Sequence, residues 1–381
     1  MSLFNVYPIY NITPVKALGA TVWDENGQEY LDFYGGHGVI SVGHSHPKYV
    51  EAIQNQIEKI GFYSNSIQNP LQEAFAKKLT EVSGYPDYSV FLCNSGAEAN
   101  ENALKLASFH NKKSKVIAFE KSFHGRTSAS VAVTDNPSII APINANHDVI
   151  FLPLNEIDLV KKAISENEIT AVIIEGIQGV GGLDEGTTAF FQELETICNE
   201  NNVILILDEI QSGYGRSGKF FAHQHHTIKP DIITMAKGMG NGFPIGGLLI
   251  SDKFKASYGL LGTTFGGNHL ASASALSVLE IIENENILEN VKQQSAYFIQ
   301  AVSEIPEIKK IKGKGLMLGL EFDFDVTELR KNLIYEQHIF TGNASQKNLL
   351  RILPPLAITS SQIDQFTVGL KNALHSLKIT L

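Results

Sequence analysis

Residues 203–208 read Val203-Ile204-Leu205-Ile206-Leu207-Asp208, five apolar residues in a row followed by a carboxylate. A run without polar alternation fits a strand covered on both faces, the form strands take in a parallel sheet. Similar runs lie on either side of it. SVFLC (89–93), KVIAFE (115–120), VIFLP (149–153) and AVIIEG (171–176) precede VILILDE (203–209), and DIITMA (231–236) and GGLLIS (246–251) follow it. Longer stretches of helical character separate them, among them AEANENALKLASFH (97–110) and TTAFFQELETICNEN (187–201). Short buried strands alternating with helices predict an α/β domain built on a large, mostly parallel sheet of seven strands.

The flanks differ. Residues 1–45 carry Pro8, Pro14 and several glycines, with GATVWDENGQEYLDF folding back at an Asn-Gly turn. From about residue 270 the chain turns helical. It then gives a strand-like KGLMLGLEFDF and a last helix near 360–378. The expected division is an N-terminal arm (1–45) belonging in part to a small domain, a large α/β domain (46–255) and a C-terminal α+β domain (256–381). No internal repeat or low-complexity segment is visible.

The chain has 381 residues, 43% hydrophobic and 18% charged, with a formal net charge of −10. That charge argues against a nucleic-acid or anionic-membrane surface, while a local arginine pocket for a small anion stays compatible with it. No apolar run nears the roughly 20 residues of a spanning helix. The N-terminus does not read as a secretory signal, and Cys93 and Cys198 read as buried free thiols, so a cytoplasmic protein is expected.

Ligands of an open parallel sheet bind beyond the carboxyl ends of its strands. Asn94, Ser95, Gly96 and Ala97 follow the first strand and open a helix, where free N–H groups suit an anion, although a plain N-cap would look the same. The second strand leads into KSFHGRT. There Arg126 is a candidate for a substrate carboxylate and Phe123 for one face of a planar ring, against the plainer readings of a surface arginine and a core phenylalanine. His124 reads as a stacking residue or a satisfied turn histidine. Glu175 and Gln178 stand at the edge of the sheet among glycines. Asp208 ends five apolar residues, and a buried carboxylate without a partner is costly. Gln211 follows it. Lys237 stands after Ile232-Ile233-Thr234-Met235-Ala236, where burial would depress its pKa. That makes it either a structural ion pair or an imine-forming amine. A buried strand that delivers a carboxylate and another that delivers a lysine are what a pyridoxal phosphate enzyme needs. Thr263 and Thr264 lie in a glycine-bearing turn, and Arg351 lies between apolar residues and a double proline. His44 and His46 lack a second pair at zinc spacing, and the three histidines of FAHQHH (221–226) are expected in a polar loop. No metal site is therefore expected.

These blocks, in this order, resemble the class III aminotransferases of the fold-type I pyridoxal phosphate enzymes, and most closely the acetylornithine/succinylornithine aminotransferase group. The resemblance rests on YLDFYGGHGVISVGHSHP, NSGAEANENALKLA, FHGRT, EGIQGVGG, LDEIQSGYGRSG, AKGMGNGFPIGG, TTFGGN and LLRILPPL, and it covers essentially the whole chain. It implies pyridoxal 5'-phosphate as cofactor, with Lys237 as the Schiff-base lysine and Asp208 as the partner of the pyridinium nitrogen. Ser95, Gly96 and Ala97 would cradle the phosphate, with Thr264 reaching it from a neighbouring subunit. Phe123 and Ile210 would enclose the ring, Gln211 would meet its phenolic oxygen, and Glu175 would belong to the same site. Arg126 would hold a distal carboxylate, Arg351 an α-carboxylate, and Tyr7 and Val180 would line the substrate space. A homodimer with shared active sites is implied.

The sequence departs from the family pattern at Val180, where the family has a glutamate, at Gly176, where it has a proline, and at His269. The implied reaction moves the δ-amino group of an N-acetyl- or N-succinylornithine to 2-oxoglutarate, a step of arginine biosynthesis. An Arg351 left without that glutamate favours a donor bearing an extra carboxylate, such as N-succinylornithine. The alternatives are another ω-aminotransferase, acting on ornithine, 4-aminobutyrate or acetyl-lysine, and a non-catalytic protein of the same fold.

Overall fold

The structure, a computed structural model, describes residues 3–380, with side chains to residue 377. All seven expected strands are present: β1 (Ser89–Cys93), β2 (Lys115–Phe119), β3 (Val149–Leu152), β4 (Ile169–Glu175), β5 (Ile204–Asp208), β6 (Ile232–Met235) and β7 (Gly246–Ile250). Their order in the sheet is β1-β7-β6-β5-β4-β2-β3. β7 is antiparallel to both its neighbours, and the other pairs in the sheet are parallel.

β5 shows why its residues are apolar without alternation. Ile204 and Ile206 pack on one face with Ala99, Ala103 and Leu104 of the helix Gly96–Asn111. Leu205 and Leu207 pack on the other with Phe190, Phe191 and Leu194 of the helix Thr188–Glu200. Successive side chains point to opposite faces, so a strand covered on both sides needs apolar residues at every position. Each such side chain contributes roughly 1.5–3 kcal/mol of burial.

The covering helices begin where the sequence supplies caps. Ser95 Oγ accepts the Glu98 N–H at 3.2 Å, and Thr187 Oγ1 accepts that of Phe190 at 3.2 Å. Both starts lie at the carboxyl side of the sheet or on the loops feeding it, and the first sets a helix N-terminus beside the end of β1.

Two smaller sheets flank the large one. Pro14–Leu18, Thr21–Asp24 and Glu29–Asp32 form a meander, and Ile339–Phe340 adds to it in parallel. At the Asn26-Gly27 turn, Asp24 Oδ1 accepts the N–H groups of Asn26 and Gln28, each at 2.9 Å. The other sheet joins Lys310–Lys314, Met317–Glu321, Leu349–Ile352 and Gly342–Asn343. The strand-like KGLMLGLEFDF is thus the second arm of a hairpin whose first arm, KIKGK, has no apolar pattern. The largest buried cluster runs from Phe75 and Met235 through Val278 and Phe298 to Phe366, tying the large sheet to the C-terminal elements.

Cys93 and Cys198 are buried free thiols, both raised in pKa by burial, Cys93 to about 12. Among the described residues no helix is long and apolar enough to cross a membrane.

Candidate active site

A cavity of about 410 Å³ opens at the carboxyl ends of the parallel strands. Ser95, Gly96 and Ala97 line it from the end of β1, and Phe123, His124 and Arg126 from the loop after β2. Glu175, Gly179 and Val180 come from β4, Asp208, Ile210 and Gln211 from β5, and Lys237 from just beyond β6. Residues that the sequence spreads over 143 positions thereby share one wall.

Asp208 ends β5 and is 4% exposed. Its Oδ2 accepts from Asn100 Nδ2 at 2.8 Å and meets His124 Nδ1 at 2.7 Å, and its Oδ1 accepts the Ile210 N–H at 3.0 Å. Asn100 is itself fixed, because it donates to the His124 carbonyl at 2.7 Å and its Oδ1 accepts from Thr234 Oγ1 at 2.8 Å. A carboxylate accepting from His124 puts that ring's proton on Nδ1. His124 Nε2 is buried without a protein partner. The burial cost foreseen for Asp208 is therefore met in part by neutral donors, which leaves its charge available to a cation in the cavity.

Glu175 lies directly beside Asp208 in the register of β4 and β5. Its carboxylate accepts the backbone N–H groups of Phe123 (3.1 Å) and Gly179 (2.7 Å). Burial pushes its pKa up to about 7, and the Asp208 charge adds to that rise. Lys237 falls two residues after β6, in a left-handed conformation with φ 45° that L residues seldom adopt. Burial brings its amine down to about 8, against the upward pull of Asp208 and then Glu175. A lysine at that value is substantially neutral near pH 8 and can act as nucleophile and base.

At the helix start, Ser95 Oγ is committed to the cap, so the N–H groups of Gly96 and Ala97 are what the turn offers an anion. A Cβ on Gly96 would come within 2.9 Å of the Ile210 side chain, so glycine there lets Ile210 close on the turn.

Gln211 donates to the His37 carbonyl at 2.8 Å and accepts from Arg351 Nη1 at 3.3 Å. Arg351 is 3% exposed, donates also to the carbonyls of Gly179 (3.0 Å) and Asn343, and sits 6.0 Å from the Tyr34 ring centre. Among the described residues it has no carboxylate partner, and burial lowers its pKa. Val180, at the cavity wall, supplies none. Arg126 is exposed at the rim.

Two expected residues stand away from this cavity in the protomer. Thr264 is exposed in the turn after the large sheet, where Thr263 rather than Thr264 bonds Asn94, at 3.2 Å. Tyr7 is 75% exposed, and the arm residue that approaches the site is Tyr10, 5.4 Å from the Arg330 guanidinium.

Asn100, which the sequence reading passed over, belongs to the site. Its sequence signal is a polar residue on the apolar face shared by Ala99, Ala103 and Leu104. The FAHQHH segment is also corrected. His223 is fully buried, held by Glu209 at 2.8 Å and by Tyr85, and His44 bonds Asp32 at 2.8 Å. The expected polar loop is a packed turn, because Glu209 accepts the N–H groups of both Ala222 and His223.

Comparison with known proteins agrees along the whole chain. The family described as aminotransferase class-III matches residues 5–374. The acetylornithine aminotransferase of Bacillus subtilis (strain 168) is 39% identical over 98% of this chain and 97% of its own. The succinylornithine transaminase of Photorhabdus laumondii subsp. laumondii is 41% identical over 95% and 93%. Among solved structures, the ornithine aminotransferase of Toxoplasma gondii ME49 superposes with a TM-score of 0.91 at 26% identity, covering 99% of this chain and 94% of that one.

Proposed function

Because the chain belongs to the class-III aminotransferase family, we propose that it moves the δ-amino group of an N-acylornithine to 2-oxoglutarate with pyridoxal 5'-phosphate as cofactor, in arginine biosynthesis. The observation that carries this reading is the placing of Lys237 and Asp208 on one cavity. The amine is lowered to about 8, and the carboxylate accepts from Asn100 and the Ile210 N–H and meets His124.

The cavity fits the cofactor by several independent features. Gly96 and Ala97 offer N–H groups for a phosphate, and Phe123 and Ile210 give apolar walls for a ring. Asp208 would hold the proton of the ring nitrogen, and Gln211 would meet the phenolic oxygen. When bound, the cofactor supplies an aldehyde carbon that takes the amino group and a cationic ring that withdraws the electron pair left as the substrate proton departs.

The chain's own residues do the rest. Lys237 Nζ, neutral in a large fraction near pH 8, would take the proton from the amino-bearing carbon of the donor and give it up again to the cofactor within the same half-reaction, and the second half would run the same transfer in reverse. Glu175, with its pKa raised to about 7 by burial, carries little charge at mildly acid pH. Arg351 receives the carboxylate of the acceptor, since among the described residues its hydrogen bonds go to Asn343, Gly179 and Gln211 and no carboxylate pairs with it. Arg126 at the rim receives the carboxylate of the donor.

A homodimer belongs to the same reading. Phe62 and Phe265 meet at 5.2 Å, their rings tilted by 48°, while both stay exposed, with Ile67 and Tyr258 exposed nearby in sequence. Thr264 adjoins that patch, as a residue serving the partner's phosphate would.

The test is a donor panel with 2-oxoglutarate: N-succinylornithine, N-acetylornithine, ornithine, 4-aminobutyrate and acetyl-lysine. The reading expects the two acylornithines to lead in kcat/KM, with the succinyl compound ahead because Val180 leaves Arg351 open. A lead for ornithine or 4-aminobutyrate would overturn the substrate assignment, and a lead for the acetyl compound would remove the succinyl preference.

A further inference from the structure

The turn at 263–267, which follows the large sheet, is held by more side-chain donors than a surface turn needs for itself. Asn65 Nδ2 donates to the carbonyls of Thr263 and Gly266, each at 3.1 Å. Gln72, in the first turn of the helix Pro70–Ser83, donates from Nε2 to Asn65 Oδ1 at 2.9 Å and to the Gly267 carbonyl at 2.7 Å. Asn69 caps that helix by accepting the Leu71 N–H, and its Nδ2 donates to the same Gly267 carbonyl at 3.2 Å. Ser272 Oγ adds a third donor there at 3.0 Å.

The turn also has no room to move toward the sheet. A Cβ on Gly266 would lie 2.5 Å from the Leu92 carbonyl and 2.7 Å from Cys93 Cα, so the backbone rests on the end of β1. On its outer side stand Thr264 and Phe265, both exposed, and the Thr264 hydroxyl has no hydrogen-bond partner among the described residues. Surface turns ordinarily leave their backbone to water and stay mobile. Ordering several amide side chains around one costs conformational entropy, and a defined position is what a turn delivering a binding group requires. The helix start in the chain's own cavity does not depend on this turn. Asn94 reaches Thr263 Oγ1, but its N–H and its Nδ2 are both held by Glu98 Oε2 at 2.9 Å.

We propose that Asn65, Asn69 and Gln72 are positioning residues that act across the subunit boundary, fixing the turn so that Thr264 meets the cofactor phosphate of the partner subunit. The inference rests on the proposed function, which gives Thr264 that phosphate in a homodimer. A loosened bracket is then felt in the other chain's site and not in its own. Asn69 serves the helix and the turn with different atoms, the cap with Oδ1 and the turn with Nδ2. Asn69→Asp keeps the first and loses the second.

The test uses hybrid dimers of differently tagged full-length chains, one of which carries Lys237→Ala so that a single live site remains. Cofactor uptake is read by titrating pyridoxal 5'-phosphate and trapping it on the remaining Lys237 with borohydride. Gln72→Leu on the chain that lacks Lys237 should weaken uptake at the live site about tenfold, the size of one lost hydrogen bond. On the chain that bears the live site, the same change should leave uptake within about twofold. Asn69→Asp, with the helix cap intact, should repeat both results. Pyridoxal, which lacks the phosphate, should bind every hybrid alike. Equal weakening in the two arrangements, a loss confined to the chain bearing the live site, unchanged uptake in both, or a matching loss for pyridoxal would overturn the proposal. Sedimentation of the unaltered protein separates the two readings. A monomer that takes up the cofactor overturns the homodimer together with this inference, whereas a dimer without the effect across the boundary overturns this inference alone.

Discussion

Asn100 and Asp208 lie 108 positions apart and are joined by a 2.8 Å hydrogen bond inside the sheet, with Thr234 and the His124 carbonyl closing the network around the amide. Asn100→Ala leaves the Thr234 hydroxyl, the His124 carbonyl and one Asp208 lone pair unsatisfied in a buried place. The expected loss is about 2–3 kcal/mol of unfolding free energy, read in urea titrations. Activity should fall about tenfold or more, since Asp208 loses a donor that fixes its direction. Asn100→Asp should be worse than alanine at pH 8, because it sets a second carboxylate against Asp208.

Lys237 gives a stability signature in the cofactor-free protein. Its folded pKa of about 8 lies below the ordinary 10.5. Below pH 8 the folded chain therefore carries a buried ammonium at full cost. That cost fades as pH rises from 8 to 10.5, where the folded state gives up its proton before the unfolded state does. Lys237→Met should abolish amino transfer yet raise the stability of the cofactor-free protein at pH 7 by about 1–3 kcal/mol. Thermal melts at pH 7 and pH 10.5 check the sign: the advantage should be present at the first and gone at the second.

Gly179 bears on Arg351 twice, through its carbonyl, which accepts from Arg351 Nη1 at 3.0 Å, and through the room it leaves for Gln211. A Cβ there would lie 2.1 Å from Gln211 Oε1, the atom that accepts from Arg351 Nη1. Gly179→Ala should displace Gln211 and lower kcat/KM for 2-oxoglutarate about tenfold, the size of one charge-assisted hydrogen bond. In a double-mutant cycle with Gln211→Ala the two losses should fall well short of additive, because they remove the same contact. Additive losses would mean that Gly179 acts by another route.

Arg216 is fully buried, with its pKa brought down to about 9 by burial. Its guanidinium gathers the carbonyls of Leu316 (3.3 Å), Pro354 and Ile40 (3.2 Å), tying the chain after Arg351 to the loop that carries His37. Arg216→Met strands these acceptors and should cost about 3 kcal/mol of stability or more by denaturant titration. Arg216→Lys should recover only part of it, because a single ammonium lacks the planar fork that reaches in two directions.

The sheet could be read from sequence because its strands are covered on both faces: β4 and β5 show no alternation to confuse with anything else, and their last residues had to be chemical. Asp208 and Lys237 followed from that. Asn100 was hidden because a helix rich in Asn and Glu looks solvated until one knows which face meets β6. KIKGK was hidden for a different reason. It is the edge strand of its sheet, and lysines that guard an edge erase the apolar pattern of a strand. His223 read as a loop residue because its partners, Glu209 and Tyr85, are 14 and 138 positions away. The approach of Tyr10 rather than Tyr7 depends on packing against Tyr335, which no local spacing encodes.

The bonds that hold Asp208 also bear on how the protein matures. Asn100 and His124 reach Asp208 across 108 and 84 positions of chain, and Thr234 reaches Asn100 across 134. Contacts of that range form only after the intervening loops have closed. A partly assembled sheet therefore carries no binding site, even though each strand and helix may already be in place locally. Competence to take up the cofactor arrives at the end of folding, and binding then holds three distant parts of the chain together at one point.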